Sequence, residues 1–280
     1  MAYDKAQALR GCRLVQLMYA VARDWIEADR PEDNVYAWDQ AALAAEGFTR
    51  HTSLVWGRSL AWRRKFGPRR PGQPHMYQWV EEWAPLVVAG SPAGDDTLYV
   101  GVRGTLLRRD WDTNMNFSKI RRVLGGIDLG QVHQGFFKTY ESCSPRLVEQ
   151  LTQLLAQAPG IRRVVVVGHS LGGALATLLG ASLAIDPWRQ AAGIEEVTVY
   201  TLASPRVGDR SFVDAVAALP ALDFYNIQNT HDIVPKLPFE DLGYEHAGRV
   251  LQFSEGQGDL LAWHDLKLYR EAVELDRVTV

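Results

Sequence analysis

The stretch "RRVVVVGHSLGGALA", residues 162–176, constrains the fold of this 280-residue chain more than any other part of the sequence. A short, continuous run of valines is typical of a strand that is buried on both faces of a parallel sheet. The small residues that follow predict a helix packed closely against that sheet. Between the two, Gly168 and Gly172 flank Ser170 in the pattern Gly-x-Ser-x-Gly, which in this context forms a tight strand–turn–helix. The sequence therefore predicts that Ser170 projects above the carboxyl edge of a parallel sheet.

Strand and helix patterns alternate along much of the chain. Strands are predicted at 85–90, 96–104, 162–168, 195–203, 221–228 and 246–253. Helices are predicted at 4–28, 36–46, 135–158, 171–185, 209–219 and 263–275. The first two strands form a hairpin, and the alternation after them predicts a mostly parallel central sheet with helices on both faces. No internal repeat or linker interrupts the pattern, so we expect a single α/β domain over residues 1–280.

Composition excludes several classes of protein. A hydrophobic content of 47% with 22% charged residues is typical of a globular protein with a sizeable core. The formal net charge of −3 gives no indication of a nucleic-acid surface. Two cysteines, Cys12 and Cys143, cannot build a disulfide framework. The chain begins without a signal-peptide pattern, which favours a cytoplasmic protein, although a mature secreted chain with an added start methionine would look the same.

A serine hydroxyl is a weak nucleophile, so Ser170 requires a general base. In this architecture the acid and then the histidine follow the serine along the chain. Of three downstream histidines, His246 precedes the last strand and so falls at the wrong end of it, and His231 directly neighbours the best acid. His264 follows the last strand and opens the last helix. We therefore predict that His264 is the base.

Two aspartates are candidates for the acid that orients the histidine. Asp209 follows one strand, but its position at the start of "DRSFVDAVAAL" is typical of a helix N-cap. Asp232 follows the next strand, within "NTHDIVPKLP", where apolar neighbours predict a partly apolar loop. Such a loop suits a buried carboxylate that holds an imidazole, so Asp232 is the predicted acid.

Several sequence blocks together resemble the class 3 lipase family of α/β-hydrolases, which contains the filamentous-fungal triacylglycerol lipases. The blocks in chain order are "VRGT", "DWDTNMNF", "VHQGF", "GHSLGGALATL", "SPRVGD", "NTHDIVPKLP", "YEHAG" and "WHDLKLY". They cover residues 98–270, nearly two-thirds of the chain. The resemblance implies the α/β-hydrolase fold and the same catalytic triad, Ser170, Asp232 and His264.

The resemblance also implies roles that the residues alone do not assign. In such lipases the Ser or Thr after Arg-Gly supplies one oxyanion-hole group, and that position is Thr105 here. The second donor is the backbone N–H of the residue after the nucleophile, Leu171. His133 and His246 match family positions that are not catalytic, so we expect both to be structural.

The segment after the oxyanion residue is a mobile amphipathic lid in the family, and here it corresponds to about residues 106–116. Leu107, Trp111 and Met115 recur every four residues, which predicts a narrow apolar stripe on a short helix. The stripe would close over an acyl groove. The candidates for the lining of that groove are Pro205, Val207, Val234 and Leu237.

The expected activity is hydrolysis of a carboxylic ester, with acylglycerols as the first substrate class. An esterase acting on shorter soluble esters and an A-type phospholipase are the alternatives. A non-catalytic binding protein with a hydrolase-like fold is the remote alternative, because such a protein has no reason to retain Ser170, Asp232, His264 and Thr105 together. The mechanism needs no metal ion and no organic cofactor, and the sequence shows no clustered metal-ligand spacing.

One segment fits neither the core pattern nor the resemblance. Residues 62–74, "WRRKFGPRRPGQP", predict an exposed loop. Its cations and aromatic residues offer an alternative role as a transient contact with an anionic lipid surface. These residues are Trp62, Arg63, Arg64, Lys65, Phe66, Arg69 and Arg70. The sequence indicates a lipid or other ester substrate as partner, no nucleic acid, and no particular oligomeric state.

Overall fold

The computed structural model describes residues 3–33, 35–64, 77–105, 117–185 and 187–279. The strands are β1 (Phe48–His51), β2 (Val55–Arg64), β3 (Tyr77–Pro92), β4 (Thr97–Val102), β5 (Lys119–Leu124), β6 (Ile127–His133), β7 (Arg163–His169), β8 (Glu196–Leu202), β9 (Leu222–Asn229) and β10 (Arg249–Phe253). The helices are α1 (Lys5–Glu27), α2 (Ala41–Ala45), α3 (Gln134–Gln157), α4 (Leu171–Ile185), α5 (Pro187–Ala191), α6 (Arg210–Ala217), α7 (Leu260–Trp263) and α8 (Leu266–Glu274). Short 3₁₀ turns follow at Val234–Lys236 and Glu240–Leu242.

The central sheet has the order β1-β3-β4-β7-β8-β9-β10, with β2 paired beside β3. Strands β4, β7, β8, β9 and β10 are parallel to one another, whereas β1, β2 and β4 pair antiparallel to β3. The predicted hairpin and the mostly parallel sheet are both confirmed. Strands β5 and β6 form a separate antiparallel pair. The carboxyl ends of the parallel strands meet at one edge, where ligands bind in open α/β sheets.

The four valines of β7 explain why this strand lies in the middle of the sheet. Val164 and Val166 pack into the hydrophobic cluster that contains α3 and α4, whereas Val165 and Val167 pack into the cluster that contains α1 and α8. Successive side chains of a strand point to opposite faces, so an uninterrupted valine run requires cover on both sides. Burial of each such side chain contributes about 1.5–3 kcal/mol relative to exposure.

Several predicted elements differ from the structure at their ends. The helix predicted at 36–46 is only the short α2, and the strand predicted from His246 begins at Arg249. The prediction that His264 opens the last helix is wrong. His264 ends α7, and Asp265 caps a new helix, α8, by accepting a hydrogen bond from the Lys267 N–H. Strands β1, β2, β5 and β6 and helices α5 and α7 were not predicted.

Two predicted segments fall partly or wholly outside the described residues. The lid, residues 106–116 with Leu107, Trp111 and Met115, lies outside them and stays a prediction. The basic segment was predicted as a loop from residue 62, but the backbone of residues 62–64 belongs to β2 and pairs with residues 77–79 of β3. Its remaining cations lie outside the described residues. No described helix combines the length and apolar character that spanning a membrane requires.

Candidate active site

Ser170 occupies the turn between β7 and α4. Its backbone lies in the left-handed region, with φ of 61°, and its N–H donates to the Leu202 carbonyl of β8 at 2.9 Å. For a residue with a Cβ this conformation costs about 1–2 kcal/mol. Strain of this kind persists only where the surrounding structure enforces it, and it clusters at functional sites. The turn therefore presents Ser170 at the carboxyl edge of the sheet, as the sequence predicts.

The glycines on either side of Ser170 are required by close packing. A Cβ on Gly168 would lie 2.0 Å from the Gly172 carbonyl oxygen, and a Cβ on Gly172 would lie 2.3 Å from the Val102 carbonyl oxygen. Both contacts involve backbone atoms, which cannot move aside as a flexible side chain can. The end of β4 and the start of α4 consequently touch, which brings the segment after Val102 next to the serine.

The structure brings together the three residues that the sequence predicts as a triad. His264 Nε2 lies 2.8 Å from Ser170 Oγ, and His264 Nδ1 lies 2.7 Å from Asp232 Oδ2. Ionised carboxylates only accept hydrogen bonds, so the neutral imidazole carries its proton on Nδ1 and accepts from the serine hydroxyl at Nε2. The three side chains are buried. This is the geometry in which a histidine can remove a proton from a serine.

Asp232 is held by more partners than the sequence predicts. Its Oδ1 accepts from the Val234 N–H at 3.0 Å, and its Oδ2 accepts from the Tyr269 hydroxyl at 2.8 Å as well as from His264. The Tyr269 oxygen in turn accepts from the Asn229 N–H at 3.0 Å. Burial, together with the neighbouring Asp232 carboxylate, raises the pKa of Tyr269 well above its ordinary value, so its hydroxyl remains a donor. Sequence analysis missed Tyr269, although it ends the quoted block "WHDLKLY".

Replacing Tyr269 by Phe should lower kcat by about 10- to 100-fold with a small change in KM. The substitution removes a hydrogen bond to a charged group, and such bonds contribute about 1.5–3 kcal/mol. Steady-state kinetics on a soluble p-nitrophenyl ester measure the effect. Tyr225→Phe is the matched control, because Tyr225 packs against Tyr200 on the α1 side of the sheet. Equal kcat values for Tyr269→Phe and Tyr225→Phe would contradict the assigned role.

The rejected candidates have other partners in the structure. His231 faces the ring of Trp263, with the ring centroids 5.7 Å apart. His246 contacts the Pro235 carbonyl through Nε2 at 2.7 Å, and burial is the main cause that lowers its pKa to about 4. Asp209 caps α6 by accepting from the Phe212 N–H. These contacts agree with the choice of His264 and Asp232 over them.

His133 has a structural position at the start of α3. Its Nδ1 accepts from the Gly135 and Phe136 N–H groups, and its ring stacks on Phe136 with centroids 3.9 Å apart. Burial lowers the pKa of His133 to about 4, so the imidazole stays neutral and able to accept at neutral pH. A helix N-cap satisfies N–H groups that have no acceptor within the helix.

The two predicted oxyanion residues lie on either side of the serine turn. Leu171 is the first residue of α4, where backbone N–H groups have no acceptor within the helix. Thr105 is buried and follows Gly104, where an added Cβ would lie only 2.9 Å from Ser170 Cβ. Their role as oxyanion donors stays a prediction that this arrangement supports.

The four predicted groove residues are all buried. The Arg206 N–H donates to the Leu237 carbonyl, which joins the segment containing Pro205 and Val207 to the segment containing Val234. Val207 packs into the hydrophobic cluster that contains α3 and α4. Their contact with an acyl chain stays a prediction. Among the described residues, no three His, Cys, Asp or Glu side chains lie close enough to bind a metal ion.

Comparison with known proteins identifies the family. Residues 99–242 match the sequence model of the lipase (class 3) family, which is half of the chain. This chain belongs to the class 3 lipase family. The matched range contains Thr105, Ser170, Leu171 and Asp232, whereas His264 lies beyond its end.

Individual relatives match the chain over part of their length. The lipase of Rhizomucor miehei is 31% identical over 176 residues, which cover 60% of this chain and 46% of that protein. Phospholipase A1-II 1 of Oryza sativa subsp. indica is 27% identical over 219 residues, covering 68% of this chain and 54% of that protein. The chain thus spans about half the length of the relatives it matches.

A solved structure supports the fold. Lipase II from Rhizopus niveus superimposes with a TM-score of 0.61 at 22% identity, covering 92% of this chain and 83% of that one. The α/β-hydrolase fold predicted from the sequence is confirmed.

Proposed function

We propose that this chain is a serine carboxylic-ester hydrolase that cleaves acylglycerols through an acyl-enzyme at Ser170. The observation that carries the proposal is the 2.8 Å approach of His264 Nε2 to Ser170 Oγ, with Asp232 on the other imidazole nitrogen. Membership of the class 3 lipase family supports it. So does the name "Lipase" of the Rhizomucor miehei relative.

In the first half of the reaction, His264 accepts the Ser170 proton as Oγ attacks the acyl carbonyl carbon. Asp232 stabilises the resulting imidazolium and keeps its Nδ1 proton in place. The carbonyl oxygen gains negative charge, which the N–H groups of Thr105 and Leu171 stabilise. Collapse of the tetrahedral intermediate breaks the ester C–O bond, and His264 donates its proton to the departing alcohol.

In the second half, a water molecule replaces the alcohol. His264 removes a proton from the water as its oxygen attacks the acyl-enzyme carbonyl carbon. The tetrahedral intermediate then expels Ser170 Oγ, which takes the proton back from His264. The products are a free carboxylic acid and the original enzyme, so the residues of this chain complete the cycle without a net change.

Oxyanion stabilisation depends on donors that are in place before charge develops. Thr105 follows a segment packed against the serine turn, and Leu171 begins a 15-residue helix whose N-terminal end carries partial positive charge. Removing one such donor costs about 10²–10³-fold in kcat. The positions of Thr105 and Leu171 on either side of Ser170 therefore support their proposed role as the two oxyanion donors.

A phospholipase A1 is the second candidate, because two Oryza sativa relatives at 27% identity carry that name. Both reactions cleave an acyl ester on a glycerol backbone, so the same triad serves either one. An esterase for short soluble esters uses the same chemistry without a lipid interface. Relatives from Fusarium solani and Penicillium cyclopium are named as secreted lipases, and the cytoplasmic location of this chain stays a prediction from its sequence.

Transient contact with a lipid surface follows from the proposal, because long-chain acylglycerols aggregate in water. Two apolar side chains on α7, directly before His264, support such contact. Leu260 is 52% exposed and Leu261 is 37% exposed. Apolar side chains in this position enter an acyl layer at little cost, since they are already in contact with water.

A chain-length series tests the substrate class. We expect p-nitrophenyl esters and triacylglycerols of increasing chain length to give a rise in rate when the substrate exceeds its solubility. A smooth saturation curve through the solubility limit, with short esters preferred, would assign an esterase instead. Release of fatty acid from phosphatidylcholine but not from triacylglycerol would assign a phospholipase. Ser170→Ala is the control in every arm, and turnover that survives it does not belong to this site.

A further inference from the structure

A buried series of hydrogen bonds joins α1 to two sides of the candidate site. The hydroxyl of Tyr19, on α1, lies 2.8 Å from His169 Nδ1, and His169 directly precedes Ser170. The Gly104 N–H donates to the same hydroxyl at 3.0 Å. His169 Nε2 lies 3.0 Å from the backbone carbonyl oxygen of His264. The series thus runs from the residue before Thr105 to the backbone of His264.

The chemistry of these groups allows one direction for the series. A backbone N–H only donates, so the Tyr19 oxygen accepts from Gly104. A carbonyl only accepts, so His169 Nε2 carries a proton and donates to His264. In a neutral imidazole the other nitrogen is then an acceptor, and His169 Nδ1 receives the Tyr19 proton. Each group therefore has one role, and the imidazole has one tautomer.

The carbonyl of Gly104 is held as well as its N–H. The Arg103 guanidinium donates to the Gly104 carbonyl at 2.8 Å and also to the Pro85 carbonyl. Burial lowers the pKa of Arg103 to about 10, which leaves it charged at neutral pH. A Cβ on Gly104 would lie 2.6 Å from both the Tyr19 hydroxyl and the His169 carbonyl oxygen. Gly104, the residue that precedes Thr105, is consequently held through both its N–H and its carbonyl.

Water does not readily replace these bonds. His169 is 1% exposed, and Tyr19 is 9% exposed. The rings of His169 and His264 pack together with centroids 4.9 Å apart, and Tyr19 meets the His169 ring edge-on. Leaving a buried polar group without its hydrogen-bond partner is unfavourable, because the group has already lost its hydration. The cavity left by a lost hydroxyl is too small for a water molecule to take its place, so we expect the backbone near Gly104 to shift when a bond of the series is removed.

We propose that Tyr19 and His169 are positioning residues that fix the oxyanion segment relative to His264. The inference rests on the proposed function, because it assigns Thr105 and His264 their parts in ester hydrolysis. Neither Tyr19 nor His169 is assigned contact with the reacting atoms. Their effect is on distance, since oxyanion donors act only about 2.7–3.1 Å from the developing charge. A misplacement of about 1 Å costs on the order of 10²-fold in rate.

Three variants separate the hydrogen bonds on the two sides of His169. Tyr19→Phe removes the hydroxyl and keeps the ring. His169→Asn keeps an acceptor close to the Nδ1 position and loses the donor to His264, whereas His169→Gln keeps a donor close to the Nε2 position and loses the link to Tyr19. We expect each to lower kcat on a soluble p-nitrophenyl ester about 10- to 100-fold, with KM changed less than threefold.

The double variant gives a readout that a merely structural role would not move. Tyr19→Phe and His169→Gln both remove the bond between Tyr19 and His169, and Tyr19→Phe also removes the acceptor of the Gly104 N–H. Because one bond is shared, their kcat losses should fall short of multiplying in the combined protein. Tyr36→Phe is the matched control, because the Tyr36 hydroxyl also bonds α1, at the Val21 carbonyl, without reaching the site. Its kcat should equal that of the unaltered protein, even if its melting temperature falls.

The outcomes distinguish the inference from the function on which it rests. Turnover that persists in Ser170→Ala removes the proposed function itself. If turnover depends on Ser170 but kcat is unchanged in Tyr19→Phe and in both His169 variants, the positioning role is overturned and the proposed function stands. Equal kcat losses in Tyr19→Phe and Tyr36→Phe also overturn it, because α1 would then act only as a packing element. If Tyr19→Phe fails to fold, the two His169 variants still decide between these results.

Discussion

Ser170→Ala should abolish covalent labelling by a fluorophosphonate probe and reduce kcat for any p-nitrophenyl ester by on the order of 10⁶-fold. The probe reacts with serines whose hydroxyl proton can pass to a neighbouring base, and His264 Nε2 lies 2.8 Å from Ser170 Oγ. Alanine keeps the Cβ, so the strained backbone at φ 61° meets the same steric surroundings. The change therefore removes the nucleophile and leaves the turn intact.

Ser204→Ala is the matched control for this result. Ser204 is also buried, and its Cβ lies in the space next to α4 that Gly173 leaves open. Its hydroxyl, however, contacts only the Pro205 carbonyl among the described hydrogen bonds, so it has no base beside it. We expect Ser204→Ala to be labelled as strongly as the unaltered chain. Equal labelling of the Ser170→Ala protein would remove Ser170 from the mechanism.

The nucleophile turn could be predicted from the sequence because its signals are local. The valine run, the two glycines and the small-residue helix lie within fifteen consecutive residues. The valines are buried on both faces of the sheet, and the glycines are required by the close contacts at the turn. The choices of Asp232 and His264 rest on a second rule that is also readable from the chain. Loops after successive parallel strands reach the same edge of the sheet.

Other parts of the fold carry weaker sequence signals. Strand β5 carries three cations among six residues, none of which is buried, and β6 is interrupted by Gly130, so neither strand has the apolar run of a buried strand. Helix α7 was not predicted, because the predicted last helix begins at Trp263, the residue at which α7 ends. Two aspartates, Asp259 and Asp265, each cap a helix and mark the break between α7 and α8, so this signal could have been found.

The contacts made by Tyr19 could not have been predicted from the chain alone. Tyr19 and His169 are 150 residues apart, and nothing in the spacing of α1 distinguishes this tyrosine from a core residue. The contact depends on how closely α1 approaches the sheet. Added Cβ atoms at Gly11 and Gly101 would lie 2.0 Å from Val167 and 2.6 Å from Leu14, so these glycines allow that approach. Packing of this kind becomes visible only in three dimensions.

Asp232→Asn should lower kcat by about 10⁴-fold while the protein stays folded. The reason lies in the partners of the carboxylate. The Val234 N–H requires an acceptor at the Oδ1 position, so the asparagine oxygen faces Val234 and the NH₂ group faces His264. A donor at that position forces His264 Nδ1 to become an acceptor. The imidazole proton then moves to Nε2, which can no longer accept the proton of Ser170.

Asp209→Asn provides the comparison that decides between the two acids considered from the sequence. Asn is as good a helix N-cap as Asp, so α6 should keep its start and kcat should remain unchanged. Steady-state kinetics and thermal melting of both variants measure the difference. A large loss in Asp209→Asn with full activity in Asp232→Asn would overturn the assignment. The change of tautomer can also be measured directly. By ¹⁵N NMR, the His264 proton should be observed on Nε2 in Asp232→Asn and on Nδ1 in the unaltered chain.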